Sequence, residues 1–196
     1  MRPLLIGLAG ISGAGKSTLA DHLEIQGGVK RFRFDAYYKS AEDCPKLKDG
    51  RPNWDLPESL YLDEVCEALQ ELRLGNDIFL PLYNRRLCSR TGGVLFKPAP
   101  VIFVEGMHLF AHADIRDLID LRLWLDIDEE TALLRRCERQ PDYDLEYHRK
   151  IALPAQRQFV SPLKRYAHGI IDGSQAEKKV TNIADGIIQR FLGIQA

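Results

Sequence analysis

The stretch from residue 4 to residue 18, LLIGLAGISGAGKST, constrains this chain more than any other. A short apolar run leads into the spacing Gly10-x-x-x-x-Gly15-Lys16-Ser17, the pattern of a loop that wraps a phosphate chain. Glycines remove the Cβ atoms that would block the anion, so consecutive backbone N–H groups can turn toward it. Gly10, Ser12, Gly13, Ala14, Gly15 and Thr18 supply the cradle, Lys16 reaches the terminal phosphates, and the Ser17 hydroxyl is placed to ligate Mg²⁺. A helix is expected from Ser17 onward, with Leu19, Leu23 and Ile25 among its apolar positions, and its positive dipole end would face the same anion.

Short apolar runs recur at Leu4 to Leu8, Ile78 to Leu82, Val101 to Val104 and Leu121 to Ile127, with a weaker one at Val29 to Phe34. Helical patterns fall between them. Leu62, Val65, Cys66, Leu69 and Leu72 repeat at three- and four-residue spacing, punctuated by Pro57 before and Gly75 after. Two further helices are expected, from Glu129 to about Arg139 and from Ile183 to Leu192. This alternation predicts an α/β fold, a doubly wound and mostly parallel sheet whose ligands sit outside the strand carboxyl ends. Two polar segments, Ala36 to Asp55 and Leu87 to Pro100, read as long loops that either contact substrate or merely connect.

With 196 residues, 45% hydrophobic and 28% charged, the chain suits one domain over 1–196 with a small lid at about 135–150. A formal net charge of −1 provides no general field for nucleic acid or an anionic membrane, so neither is expected as a partner. Four cysteines, Cys44, Cys66, Cys88 and Cys137, form no C-x-x-C pair, which fits free thiols in a reduced compartment. The opening MRPLLIGLAG runs straight into the glycine loop and has neither the length nor the flanks of a secretory signal. A cytoplasmic protein acting on a small molecule is the expectation, with homo-oligomerisation left open.

Beyond the glycine loop, Phe34-Asp35-Ala36-Tyr37-Tyr38-Lys39 follows the second expected strand and sets Asp35 at its carboxyl edge. A carboxylate there can accept the proton of an attacking hydroxyl. Asn53-Trp54-Asp55-Leu56-Pro57 sets Asp55 just before a helix, where it could serve as an N-cap. Val101-Ile102-Phe103-Val104-Glu105-Gly106 reads as a buried strand ending in an acid that orients Mg²⁺ or its water. Arg135, Arg136 and Arg139 cluster on one expected helix, with Arg135 and Arg139 on a shared face.

In this order, DAYYK, NWDLPESL, PLYNRRLCSR, VIFVEG and LPAQRQFVSPLKRYAHGIID resemble the uridine kinase family of P-loop nucleoside kinases, within the group that includes phosphoribulokinase and nicotinamide riboside kinase. The resemblance covers nearly the whole chain. It implies a kinase that uses ATP and Mg²⁺ to phosphorylate the 5′-hydroxyl of a ribonucleoside of the uridine or cytidine type. Asp35 would then be the base, Asp55 the ligand of the ribose hydroxyls, and Glu105 a support for the metal. Tyr38 and Tyr83 would line the pocket, Arg90 would contact substrate, and the three arginines would sit in a lid closing over the donor phosphates. The chain departs from the family where an aromatic residue and a histidine normally follow the Pro-Leu-Tyr-like motif, for Arg85 and Cys88 stand there. Arg85 could meet an anionic group, which keeps a kinase of nicotinamide riboside, pantothenate, glycerate or a sugar phosphate in view.

Other signals lead less far. His108 and His112 stand four apart, but Leu109 replaces the glutamate of a zinc-protease helix and no third ligand is evident in the sequence. Asp126 and Asp128 compete with Glu105 as the acidic strand end, yet they lead into a helix that capping explains. Tyr37, Tyr38, Trp54 and Tyr61 are not interleaved with a basic stripe, as nucleic-acid stacking would require. A nucleotide-driven switch ATPase is the rival outside the kinase class. No Asn-Lys-x-Asp guanine reader, Asp-x-x-Gly turn or Ser-Gly-Gly signature is present to support it.

Overall fold

The computed structural model describes residues 2–25 and 29–193. Its main sheet has five strands, all parallel, in the order β2-β5-β1-β6-β7: β1 is Leu4–Ala9, β2 Val29–Arg33, β5 Val101–Glu105, β6 Leu121–Asp126 and β7 Gly169–Asp172. The central strands explain the apolar runs. Val101 to Glu105 is buried at every residue and β1 at all but its first, as strands covered on both faces must be. Helix α1 (Lys16–Ile25) packs against the final helix, Glu177–Phe191, while α2 (Leu62–Leu74) packs against α3 (Ala113–Leu118). Helix α4 (Glu129–Arg139) follows β6, and its N-terminus is capped by Asp128, whose carboxylate accepts from the Thr131 N–H at 2.8 Å. From β1 the chain crosses to β2 on one side, and from β5 it passes β1 to reach β6 on the other. That reversal of direction opens a crevice at the strand carboxyl ends, where the glycine loop lies.

Three sequence expectations are corrected. The run Ile78 to Leu82 does not join the parallel sheet; it belongs to β3 (Ile78–Asn84), paired antiparallel with β4 (Ser89–Phe96) in a separate two-stranded sheet. The segment Leu87 to Pro100, read as a loop, therefore contains a strand. Its Thr91-Gly92-Gly93 composition concealed it, because β4 is mostly exposed and has no apolar alternation to display. The final helix begins at Glu177, six residues before Ile183, since its first turns carry charged residues on the outer face. Strand β7 and the helical run from Leu145 to Tyr166, built of short α, π and 3-10 pieces, were not foreseen.

Close approach fixes the junction between β5 and the turn after β2. A Cβ on Gly106 would fall 2.6 Å from the ring of Phe34, itself fully buried, so only glycine lets that ring lie against the end of β5. Phe34 opens the 3-10 turn Phe34–Tyr37, so this contact sets where Asp35 stands. Two residues further on, His108 is fully buried, and among the described residues neither ring nitrogen has a partner in good hydrogen-bond geometry, the Asp55 backbone being the polar group that acts on the ring. Burial pushes its pKa down to about 4, with the Asp55 backbone partly opposing the shift. The imidazole is therefore neutral at pH 7.

Two outcomes follow. Gly106→Ala should cost about 1–3 kcal/mol in urea unfolding, the usual penalty of overpacking a closed core. The folded state resists protonating His108, whereas the unfolded chain takes up that proton near its ordinary pKa. Stability should therefore fall as pH drops from about 6.5 to about 4, by roughly 3 kcal/mol from this residue alone. His108→Leu should flatten that part of the pH profile, measured by urea titration at several pH values.

Candidate active site

The glycine loop joins β1 to α1 and is closed from behind by the neighbouring strand and helix. A Cβ on Gly13, whose φ is +92°, would lie 2.4 Å from the Ala132 carbonyl of α4, so at this point the loop backbone comes up against the backbone of α4. The Lys16 ammonium donates to the carbonyls of Gly10 and Ile11 at 2.9 and 3.0 Å. Burial lowers its pKa, while the carboxylates of Glu105 and Asp35 work in the opposite direction.

Parallel pairing places Leu8 opposite Glu105, and Arg33 of β2 opposite Glu105 on its other side. Glu105 is 7% exposed. Its Oε1 accepts from Arg31 at 2.6 Å and from the Ser17 hydroxyl at 3.4 Å. Burial and the nearby Asp35 push the Glu105 pKa up, opposed by Lys16 and Arg31. Ser17 and Glu105 thus put a hydroxyl and a carboxylate at one corner beside the loop, a set of hard oxygen donors that suits Mg²⁺. Asp126 and Asp128, the competing acids, are engaged elsewhere: Asp126 accepts from Trp124 at 3.1 Å and Lys164 at 2.7 Å, and Asp128 caps α4.

Asp35 shares a cleft of roughly 430 Å³ with Lys16, Ser17 and Glu105. Its Oδ2 accepts from Arg85 at 2.7 Å; Arg85 stands at the tip of the β3–β4 hairpin and is largely exposed. Further along the cleft wall, Tyr38 packs edge-on to Trp54, centroids 6.0 Å apart, and tilts against Tyr83 at 5.9 Å. Burial drives the Tyr38 phenol well above its ordinary pKa and that of Tyr83 up to about 12, so both are neutral hydrogen-bonding groups. Asp55 is almost fully buried at the same wall, and its Oδ2 accepts from the Tyr147 hydroxyl at 2.7 Å. It caps no helix: the Pro57–Ser59 turn has no side-chain cap, and α2 starts only at Leu62.

All three arginines of α4 face this region. Arg135 donates to the Ala14 carbonyl at 3.4 Å, Arg136 to the Ser12 hydroxyl, and Arg139 lines the cleft. Burial and the charges of Arg136 and Arg85 lower the Arg139 pKa, and Asp35 and Tyr143 act in the opposite direction. The guanidinium of Arg136 also lies 4.3 Å over the Tyr143 ring.

Arg90 is the exception among the expected site residues. It turns away from the cleft, donates to Glu64 at 2.6 Å and stacks 4.4 Å over Tyr61, so it braces β4 against α2. Tyr147, Arg31 and Met107 were missed by sequence reasoning. Nothing local marks Tyr147 and Arg31, because they meet Asp55 and Glu105 far away in the chain, and Met107 simply lines the cleft. A second cavity, of roughly 270 Å³, opens behind the loop between Thr18, Arg135, Gly173 and Gln175.

The chain matches the model of the phosphoribulokinase / uridine kinase family over residues 5–179. It is 33% identical to a uridine kinase from Leuconostoc citreum over 184 residues, 87% of this chain and 88% of that protein. A uridine kinase from Halalkalibacterium halodurans is 33% identical over 186 residues, 89% of this chain and 88% of that protein. Among solved structures, a possible uridine kinase from Bacillus stearothermophilus superposes with a TM-score of 0.62 at 20% identity, covering 88% of this chain and 90% of that one. A shikimate kinase from Acinetobacter baumannii gives 0.54 at 18% identity over 97% and 94%. Fold, glycine loop and sequence relatives agree that this chain belongs to the phosphoribulokinase / uridine kinase family.

Proposed function

We propose that this protein is a kinase that transfers the γ-phosphoryl group of ATP to a primary hydroxyl of a small polyhydroxylated acceptor, most simply the 5′-hydroxyl of a ribonucleoside. The observation that carries the reading is that Asp35 opens onto the same cleft as Lys16, Ser17 and Glu105. In phosphoryl transfer the protein positions two oxygens in line and offsets charge on the moving group. Backbone N–H groups from Ser12 to Lys16 hold the donor, and Lys16, Arg136 and Arg139 face its terminal phosphates. Ser17 and Glu105 would hold Mg²⁺, which would supply positive charge beside the donor phosphates. Asp35 accepts the proton of the acceptor hydroxyl while Asp55 takes its vicinal hydroxyls. The aromatic wall of Tyr38, Trp54 and Tyr83 gives a flat ring a surface to lie on. The second cavity beside Gly15 is where the donor's base extends. The segment from about 135 to 150, which carries the arginines, Tyr143 and Tyr147, is the lid.

Charge favours a neutral acceptor. Lys16, Arg85, Arg135, Arg136 and Arg139 stand against Asp35, Asp55 and Glu105, an excess of two positive charges in the cleft. A magnesium-bound triphosphate brings roughly two negative charges and balances them. A second reading rests on Arg85: its exposed guanidinium at the lip could receive the phosphate or carboxylate of a sugar phosphate or hydroxy acid. Incubation with Mg-ATP and a mixture of nucleosides, nicotinamide riboside, pantothenate, glycerate and sugar phosphates, with the product identified by mass, separates the two. Hydrolysis of equal rate with and without every acceptor would instead support a switch ATPase.

Asp35→Asn should lower turnover by about 10²-fold or more while the dissociation constant for ATP stays near wild type. Near-normal turnover would remove Asp35 from the chemistry. Asp55→Asn exchanges a charge-assisted hydrogen bond for a neutral one. It should raise the acceptor KM by about 10- to 100-fold, and ATP binding, followed by calorimetry, should be unchanged.

A further inference from the structure

Where α2 meets the start of α3, three potential metal ligands converge from two elements. Cys66 lies on the inner face of α2, and His112 and Asp114 begin α3; one ligand atom from each lies within 4.8 Å of the others. Cys66 is buried, His112 half-buried and Asp114 exposed, so the group runs from the core out to the surface. Asp63, one turn before Cys66, places its carboxylate 3.6 Å from His112 Nε2. The other ring nitrogen, His112 Nδ1, is buried and has no hydrogen-bond partner among the described residues. The Gln70 amide donates to the Cys66 sulfur at 3.6 Å, a contact that favours a thiolate.

We propose that Cys66, His112 and Asp114 form a binding site for a divalent metal of borderline softness, of the Zn²⁺ class, at the junction of α2 and α3. Thiolate, imidazole and carboxylate are the three donor types that zinc accepts together, and three protein ligands leave a fourth position for water. The orphan nitrogen is what the site explains. The Asp63 carboxylate, 3.6 Å from Nε2, adds a nearby negative charge on the other side of the ring and so favours a cation at this place. Spacings up to 4.8 Å are wider than the ligand separations of a closed tetrahedral site, so binding draws the side chains together by about an ångström. Burial and the carboxylates of Asp114, Asp63 and Glu67 keep the proton on the Cys66 thiol in the metal-free protein. The metal displaces that proton to solvent, and the thiolate and the Asp114 carboxylate then neutralise its two charges. The pair His108 and His112 is not involved, since His108 is sealed in the core. The third ligand comes from α2, more than forty positions earlier in the chain, which is why sequence spacing does not reveal it.

Co²⁺ is the probe, added to the full-length protein with Mg²⁺ in excess to occupy the oxygen site at Ser17. The expected result is one equivalent bound, with a thiolate-to-metal charge-transfer band and the intense visible absorption of a four-coordinate site; Zn²⁺ should bleach both. Cys66→Ser should abolish the charge-transfer band, and His112→Gln should weaken binding by more than about tenfold, with both variants giving wild-type far-UV circular dichroism. Asp63→Asn, at an exposed position where folding is not at stake, removes a carboxylate 3.6 Å from His112 and should weaken binding by less than His112→Gln does. A spectrum of six-coordinate Co²⁺ without the band, or a band that persists in Cys66→Ser, would overturn the proposal. None of these readouts depends on phosphotransfer, so failure here leaves the kinase reading intact, and failure of that reading leaves the metal site intact.

Discussion

Everything at the cleft depends on one register. Because β1 pairs with β5 so that Leu8 stands opposite Glu105, the loop leaving β1 and the acid ending β5 emerge side by side. The pairing of β2 with the other edge of β5 brings Arg31 to Glu105 and Asp35 to the same end of the sheet. A slip of one residue would turn Glu105 to the opposite face and leave Ser17 without its carboxylate neighbour. Register is protected by burial, since every residue of β5 is buried and its first four belong to the core. The geometry of the cleft is thus a by-product of packing.

The electrostatics follow from that crowding. Glu105 is raised and Lys16 lowered by the same loss of water, and each partly corrects the other. Arg31 keeps the buried carboxylate partnered. On the other side, the loop carbonyl of Ala14, the Ser12 hydroxyl and the Tyr143 ring hold Arg135 and Arg136 in place. The Arg139 guanidinium feels both Arg136 and Arg85, with Asp35 partly offsetting them, so the cost of gathering these cations is met as the chain folds.

Much of this was legible in the chain before any coordinates. The glycine loop, the strands at Leu4, Val101 and Leu121 and the helices at Leu62 and Glu129 carry their signals locally, in period and punctuation, so their types were readable and their ends nearly so. Asp35 and Glu105 were readable because each ends an apolar run. The hairpin was not, since β4 is exposed and glycine-rich and pairs with a neighbour rather than with the core. Nor were the partners of Asp55 and Arg90. Whether a carboxylate before a proline caps a helix or meets a tyrosine 92 positions later depends on tertiary contact, to which local pattern is blind. Arg90, in a motif suggestive of substrate contact, proved to be held by Glu64.

The two sheets share no ladder. Tyr83, Arg85 and Cys88 ride on the smaller one, while the phosphate cradle and its acids ride on the larger. Substitutions at the hairpin tip can therefore re-shape one wall of the cleft without disturbing the hydrogen-bonded frame that holds the glycine loop. Such modularity lets one wall vary while the other is kept, and in this chain the contact of Arg85 with Asp35 is a side-chain link between the two.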